Sequence, residues 1–99
     1  MPSEKTRLVM RSGPNPGKAF DLNADVISIG RESTNDIVIQ DSEISRNHAR
    51  IIRRGGGFLL EDLGSTNGTM VNGYPVTRTM LRPTDVVAIG ESRLTAEGK

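Results

Sequence analysis

No stretch of eleven or more residues in this chain keeps an apolar stripe at helical spacing. Short runs of alternating apolar and polar residues take its place, cut apart by Gly, Pro, Asn, Asp and Ser. A period of two puts successive side chains on opposite faces of a strand, so the pattern predicts many short strands, each burying one face. The runs are TRLVMR (6–11), AFDL (19–22), VISIG (26–30), DIVIQ (36–40), HARIIRR (48–54), FLLED (58–62), TMV (69–71), YPV (74–76), TDVVAIG (84–90) and RLTA (93–96). Between them lies turn chemistry. SGPNPGK (12–18) mixes prolines that fix φ with glycines that reverse it, and Asn72-Gly73 is the strongest short hairpin signal. Roughly ten strands with turns every 8–12 residues argue an all-β sandwich or barrel. Strands do not alternate with helices, so no parallel pairing is expected.

The chain has 99 residues, which predicts one domain over 1–99, with a core of about 6–96 and frayed ends at 1–4 and 97–99. Phe20, Phe58 and Tyr74 are the only aromatics, so Ile, Val, Leu and Met must build the core. There is no cysteine, which excludes disulfides, thiolate catalysis and sulfur-ligated metals. No apolar run approaches the ~18 residues needed to cross a membrane, and the charged N-terminus is unlike a signal peptide. A cytoplasmic protein without a membrane partner is the expectation. The net charge of +1 supplies no field to gather nucleic acid, and no aromatic platform is present for stacking bases. Ten of the thirteen basic residues are nevertheless arginine, whose planar fork suits phosphate and carboxylate. Arg50, Arg53 and Arg54 read as the solvent face of their strand.

Three polar loops carry most of the remaining chemistry. The first, RESTN (31–35), follows Gly30 and begins with Arg31. The second, DSEISRN (41–47), carries Ser45 and Arg46, and its one apolar residue, Ile44, should anchor it in the core. The third, LGSTNG (63–68), carries Ser65, Thr66 and Asn67 ahead of Gly68. Gathered at one end of a sandwich, these loops would form a cup rimmed by two guanidinium groups, several hydroxyls and an amide. Such a donor set suits a phosphate through charge-assisted hydrogen bonds. No phosphate-binding Gly-rich motif and no helix N-terminus would assist, so recognition falls to side chains.

GR (30–31), SRNH (45–48) and STNG (65–68), in this order and spacing, resemble the forkhead-associated (FHA) domain family. EDLGSTNGTMVNG (61–73) is close to that family's most recognisable segment, and the resemblance covers about residues 6–96. It implies a two-sheet β-sandwich of about eleven strands that binds phosphothreonine peptides with loops at one end. By that resemblance Arg31 binds the phosphate, Ser45 donates its hydroxyl to it and Arg46 adds a second cationic contact. Thr66 closes the pocket, and Asn67 hydrogen-bonds the peptide backbone. His48 ties the loops together from beneath, while Gly30 and Gly68 shape the backbone; on the plainer rival reading both glycines simply need positive φ. The implied partner is a phosphothreonine-containing protein, either a Ser/Thr kinase substrate or the kinase itself, with no cofactor and no catalysis.

Other readings compete at the same residues. Ser45 and His48 could be a nucleophile and its base, but no nucleophile elbow, orienting acid or oxyanion hole accompanies them. A local Ser45–His48 hydrogen bond that shapes the loop fits better. One histidine, no cysteine and acids without EF-hand spacing argue against a metal; Asp36, Asp41 and Glu43 read as turn-forming acids. A phospho-independent scaffold or self-association domain is the main alternative, though it would have no need of converging anion donors.

Overall fold

The computed structural model describes residues 6–98. Eleven strands follow one another: β1 (Arg7–Ser12), β2 (Ala19–Asp21), β3 (Val26–Gly30), β4 (Ile37–Val38), β5 (Ala49–Arg54), β6 (Gly57–Asp62), β7 (Thr69–Val71), β8 (Tyr74–Val76), β9 (Arg78–Leu81), β10 (Val86–Ile89) and β11 (Ser92–Glu97). They form two sheets, in the orders β2-β1-β11-β10-β7-β8 and β4-β3-β5-β6-β9. The alternating pattern dictates what lies between them. Leu8 and Met10 of β1, Val87 and Ile89 of β10 and Leu94 and Ala96 of β11 meet Ile27, Ile29, Ala49, Ile51 and Leu60 of the other sheet in one core. Phe20 and Phe58 only pack against its margin, and Tyr74 is exposed. The aliphatic core expected from the scarcity of aromatics is the one observed.

Three features depart from the expectation. The strand β9 was not predicted, because in Arg78-Thr79-Met80-Leu81 neither alternate position is fully buried and the period-two signal is faint. The sheets are also not wholly antiparallel: β3 and β4 run parallel, pairing Ile29 with Ile37 and Gly30 with Val38. Parallel strands usually need a long crossover to carry the chain back along the strand. Here only the last two residues of β3 are overlapped, so a short loop suffices. Finally, Glu97 is not frayed, since it closes β11 opposite Arg7; residues 1–4 and Lys99 lie outside the described residues. The expected hairpin at Asn72-Gly73 is present, with both residues at positive φ, 53° and 87°.

The two ends of the sandwich differ. One end carries the turns before β2 and β11 and the loops leaving β3, β4 and β6. The opposite end carries the β5–β6, β7–β8 and β9–β10 turns and the start of β1 beside the finish of β11. All three polar loops therefore share one end. Ile51 sits at the centre of the second sheet, fully buried. Ile51→Ala should cost about 2–5 kcal/mol of stability, measured by urea denaturation. A loss below about 1 kcal/mol, the range of tolerated core swaps, would show that this core is not packed as described.

Candidate functional site

Backbone bonds zip the first two polar loops together. The amide of Arg31 donates to the Ser45 carbonyl (3.1 Å) and that of Glu32 to the Arg46 carbonyl (3.2 Å). The same Arg46 carbonyl accepts the buried side-chain amide of Asn35 at 2.7 Å. This approach explains Gly30. A Cβ there would overlap the Arg46 carbonyl and crowd the Asn35 amide. Gly30 does not have the positive φ of the plainer reading; what it supplies is the absence of a side chain. Gly68 does adopt a left-handed φ of 84°.

His48 lies beneath the loops with its side chain 0% exposed. Its Nδ1 accepts the amide N–H of Ser45 at 3.1 Å. That partner forces the ring proton onto Nε2, which donates to the Gly68 carbonyl at 2.8 Å. The backbone of His48 continues the pattern, donating to Ile29 and accepting from Leu63, each at 2.9 Å. The Ser45–His48 bond thus exists, but through the serine amide rather than its hydroxyl. Both ring nitrogens are committed, and neither meets Ser45 Oγ.

Two buried or half-buried acids brace the loops from inside, and the sequence did not single them out as site supports. Asp41 accepts the amides of Glu43 (2.9 Å) and Glu91 (2.8 Å) and the Ser92 hydroxyl (3.0 Å). It thereby ties the second loop to the β10–β11 turn. Burial alone would push its carboxyl up, but these hydrogen bonds, helped by nearby His48, hold it below the usual aspartate value. Asp62 organises the third loop. It accepts the amides of Gly64 and Ser65 and the hydroxyls of Ser65 (2.6 Å) and Thr69 (2.7 Å). Burial again opposes, and the hydroxyl and amide donors again win, leaving Asp62 below its usual value. The Ser65 hydroxyl is therefore spent inward, on Asp62 and on accepting the Gly68 amide (2.9 Å), and does not belong to the rim.

The rim itself is partly locked and partly open. Arg31 Nε donates to the Ile44 carbonyl at 3.0 Å, and Ile44 is buried as the anchor expected of it. That single bond fixes the guanidinium, while its two terminal nitrogens have no partner among the described residues. Ser45 Oγ accepts the Thr66 amide at 3.1 Å, which leaves its proton free to donate. Asn67 Nδ2 is engaged with the Glu43 carbonyl (2.8 Å) and carboxylate (3.1 Å), so its carbonyl oxygen is the free end. Arg46 projects into solvent with its side chain 75% exposed and only a 4.0 Å approach to Glu32. Arg31, Ser45, Thr66, Asn67, Gly30, His48 and Gly68 are all brought into one bonded cluster, whereas Arg46 joins it through its backbone alone.

A two-sheet sandwich with these loops, braced this way at one end, is an FHA fold. The FHA domain family model matches residues 27–90, and the chain belongs to that family. It is 43% identical to the glycogen accumulation regulator GarA of Mycolicibacterium smegmatis over 95% of this chain and 60% of that protein. It is 37% identical to an oxoglutarate dehydrogenase inhibitor of Corynebacterium jeikeium, over 95% of this chain and 65% of that one. The chain spans about three-fifths of the length of these curated relatives. A structure solved to analyse phosphothreonine-dependent FHA domain interactions superposes with a TM-score of 0.88 at 33% identity, covering 95% of this chain and 96% of that one.

The depressed carboxyls set a pH dependence. A group whose folded value is lowered contributes stability above its unfolded value, about 3.9 for aspartate, and loses it as pH falls through the folded value. Asp62→Asn should therefore lower the urea midpoint more at pH 7 than at pH 3. An equal loss at both would overturn the role given to the charge. His48→Ala should lower the melting temperature by several degrees, about 4–8 °C per kcal/mol for a domain this size. A melting curve superposable on the wild type would show that the ring's two bonds brace nothing.

Proposed function

We propose that this chain is a non-catalytic module that binds phosphothreonine-containing peptides and assembles partners after a Ser/Thr kinase has acted. The observation that carries this reading is the pairing of Arg31 and Ser45. The guanidinium is fixed through Nε with its terminal donors open, and beside it a hydroxyl accepts one bond and keeps its proton to give. Phosphate offers three strong acceptor oxygens and nearly two negative charges, which is what such donors complement. Arginine-based capture of phosphorylated motifs is a recurring mode of peptide recognition.

In this reading Arg31 and Ser45 hold the phosphate and Arg46 swings in from solvent as a second cation. Thr66 closes the pocket, and Asn67 uses its free carbonyl to accept a peptide N–H. Gly30, His48 and Gly68 keep these groups in place before the ligand arrives, which lowers the ordering cost of binding. The partner is a kinase substrate or the kinase itself, in the cytoplasm. The names of the relatives speak of regulation and inhibition, which supports a regulatory binding role. A catalytic Ser–His pair has no support, since neither nitrogen of His48 reaches the hydroxyl.

Hydrogen bonds to charged groups contribute about 1.5–3 kcal/mol, so Arg31→Ala should weaken binding of a phosphothreonine peptide by at least roughly tenfold. The melting temperature should stay near that of the wild type. Titration of a degenerate phosphothreonine library against its unphosphorylated counterpart decides the matter. Equal binding of the two libraries, or binding unchanged by Arg31→Ala, would sink the proposal.

A further inference from the structure

The outer face of the second sheet is not the polar surface that an antiparallel sheet ordinarily turns to water. The register places Val26 opposite Ile52, Ile52 opposite Leu59, and Leu59 opposite Met80. Four apolar side chains thus form one unbroken row across β3, β5, β6 and β9. By strand alternation they point away from the core, and none of the four belongs to the core cluster. The row is raised at both ends, with Val26 50% and Met80 44% exposed, and lowest at Leu59, 7% exposed. Gly57 leaves the space beside β9 into which the Met80 methyl leans.

Cations flank the row on both sides. Next to it, on the loop side, Ser28, Arg50, Glu61 and Arg78 form the adjacent row. Beyond it, Arg54 stands opposite Gly57. Arg50 is taken up by Glu61 at 2.8 Å. Arg54 and Arg78 have no carboxylate within ion-pair distance among the described residues. The hydrogen bond from Arg50, with Arg78 and Arg54 adding their charge, holds the Glu61 carboxyl below its usual value, so all three arginines act on the same small area. Asp36 lies at the β3 edge of this face, bonded to the Ser28 hydroxyl at 3.2 Å, so three arginines against two carboxylates leave the face at +1, with Arg54 and Arg78 as its unpaired cations. Arg53, grouped with its neighbours by sequence, is turned the other way, over the Phe58 ring (5.6 Å) and towards Asp25.

We propose that this face is a second docking surface, separate from the loops, for a protein segment that presents apolar side chains flanked by carboxylates. Scattered exposed apolar residues need no explanation, but a continuous row with unpaired cations on either side is complementary to that one chemistry. A second copy of the chain fits poorly, because it would set the unpaired Arg54 and Arg78 against their own counterparts. Nucleic acid fits poorly as well: the row is aliphatic and offers no ring for stacking.

A short synthetic peptide alternating leucine with glutamate, titrated onto the nitrogen-15-labelled protein, tests this directly. Amide shifts should centre on Val26, Ile52, Leu59 and Met80. The counterpart with lysine for glutamate should bind at least about tenfold more weakly. Arg54→Glu combined with Arg78→Glu should cost a similar factor, and Met80→Gln, at an exposed site, should weaken binding without charge reversal. Arg31→Ala should leave it unchanged, which separates this surface from the phosphate site. Shifts confined to the three polar loops, equal binding of the lysine peptide, or no binding at all would overturn the proposal. So would tighter binding at these residues by a DNA oligonucleotide or by phosphatidylglycerol vesicles.

Discussion

The loop-bearing end of this protein depends on one buried imidazole. His48 contributes four hydrogen bonds, two from its ring and two from its backbone, and they reach three segments: Ile29 of β3, Ser45 of the second loop, and Leu63 and Gly68 at the two ends of the third. A loop held by a single contact can pivot. Loops joined through a common residue cannot move independently, because a shift in one breaks a bond to another. With no solvent at the ring, a lost partner is not replaced by water, and each broken bond leaves a buried polar group unsatisfied. The shape of the rim is therefore a property of the whole cluster.

Charge is divided by depth in the same cluster. The carboxylates of Asp41 and Asp62 are turned inward, where backbone amides and hydroxyls saturate them. The guanidinium groups of Arg31 and Arg46 stay outside; among the described residues the one carboxylate within ion-pair reach of either is Glu32, at the limit of contact, while that of Glu43 is held by Asn67. A carboxylate paired closely with either arginine would have neutralised it and repelled an anion. Placed beneath, the acids order the loops and leave the positive field of the rim intact.

Much of this was legible in the sequence, for reasons that can be stated. Residues with one dominant physical meaning were read well. Asn72-Gly73 has almost no use other than a tight hairpin, and Ile44 in a polar loop has no favourable place except the core. The meeting of the three polar loops at one end was legible through the spacing of GR, SRNH and STNG. The inner bracing was not, since Asp41, Asp62 and Asn35 are residues that any turn could carry. Only tertiary structure shows that Asp41 reaches the β10–β11 turn. At Gly30 the sequence could not separate two needs, because a missing Cβ and a left-handed backbone leave the same letter; the close approach of the Arg46 carbonyl is the one that holds. The strand β9 escaped notice because its outward residue, Met80, is apolar and blurs the alternation. That same residue ends the apolar row on the outer face.

The two sheets also differ in when they can exist. Every strand of the β4-β3-β5-β6-β9 sheet comes from the stretch between Val26 and Leu81, which also carries β7 and β8 of the other sheet. The other sheet has β1 clasped between β2 and β11, so the beginning of the chain waits for its end. During synthesis the first sheet can assemble while the ribosome still holds the last strands, and pairings so distant in sequence are the slow ones. The histidine brace belongs to the early sheet, whereas the clasp from Asp41 to Glu91 and Ser92 needs the late one. The cup can thus take its outline before the sandwich closes, and its final rigidity arrives with β11.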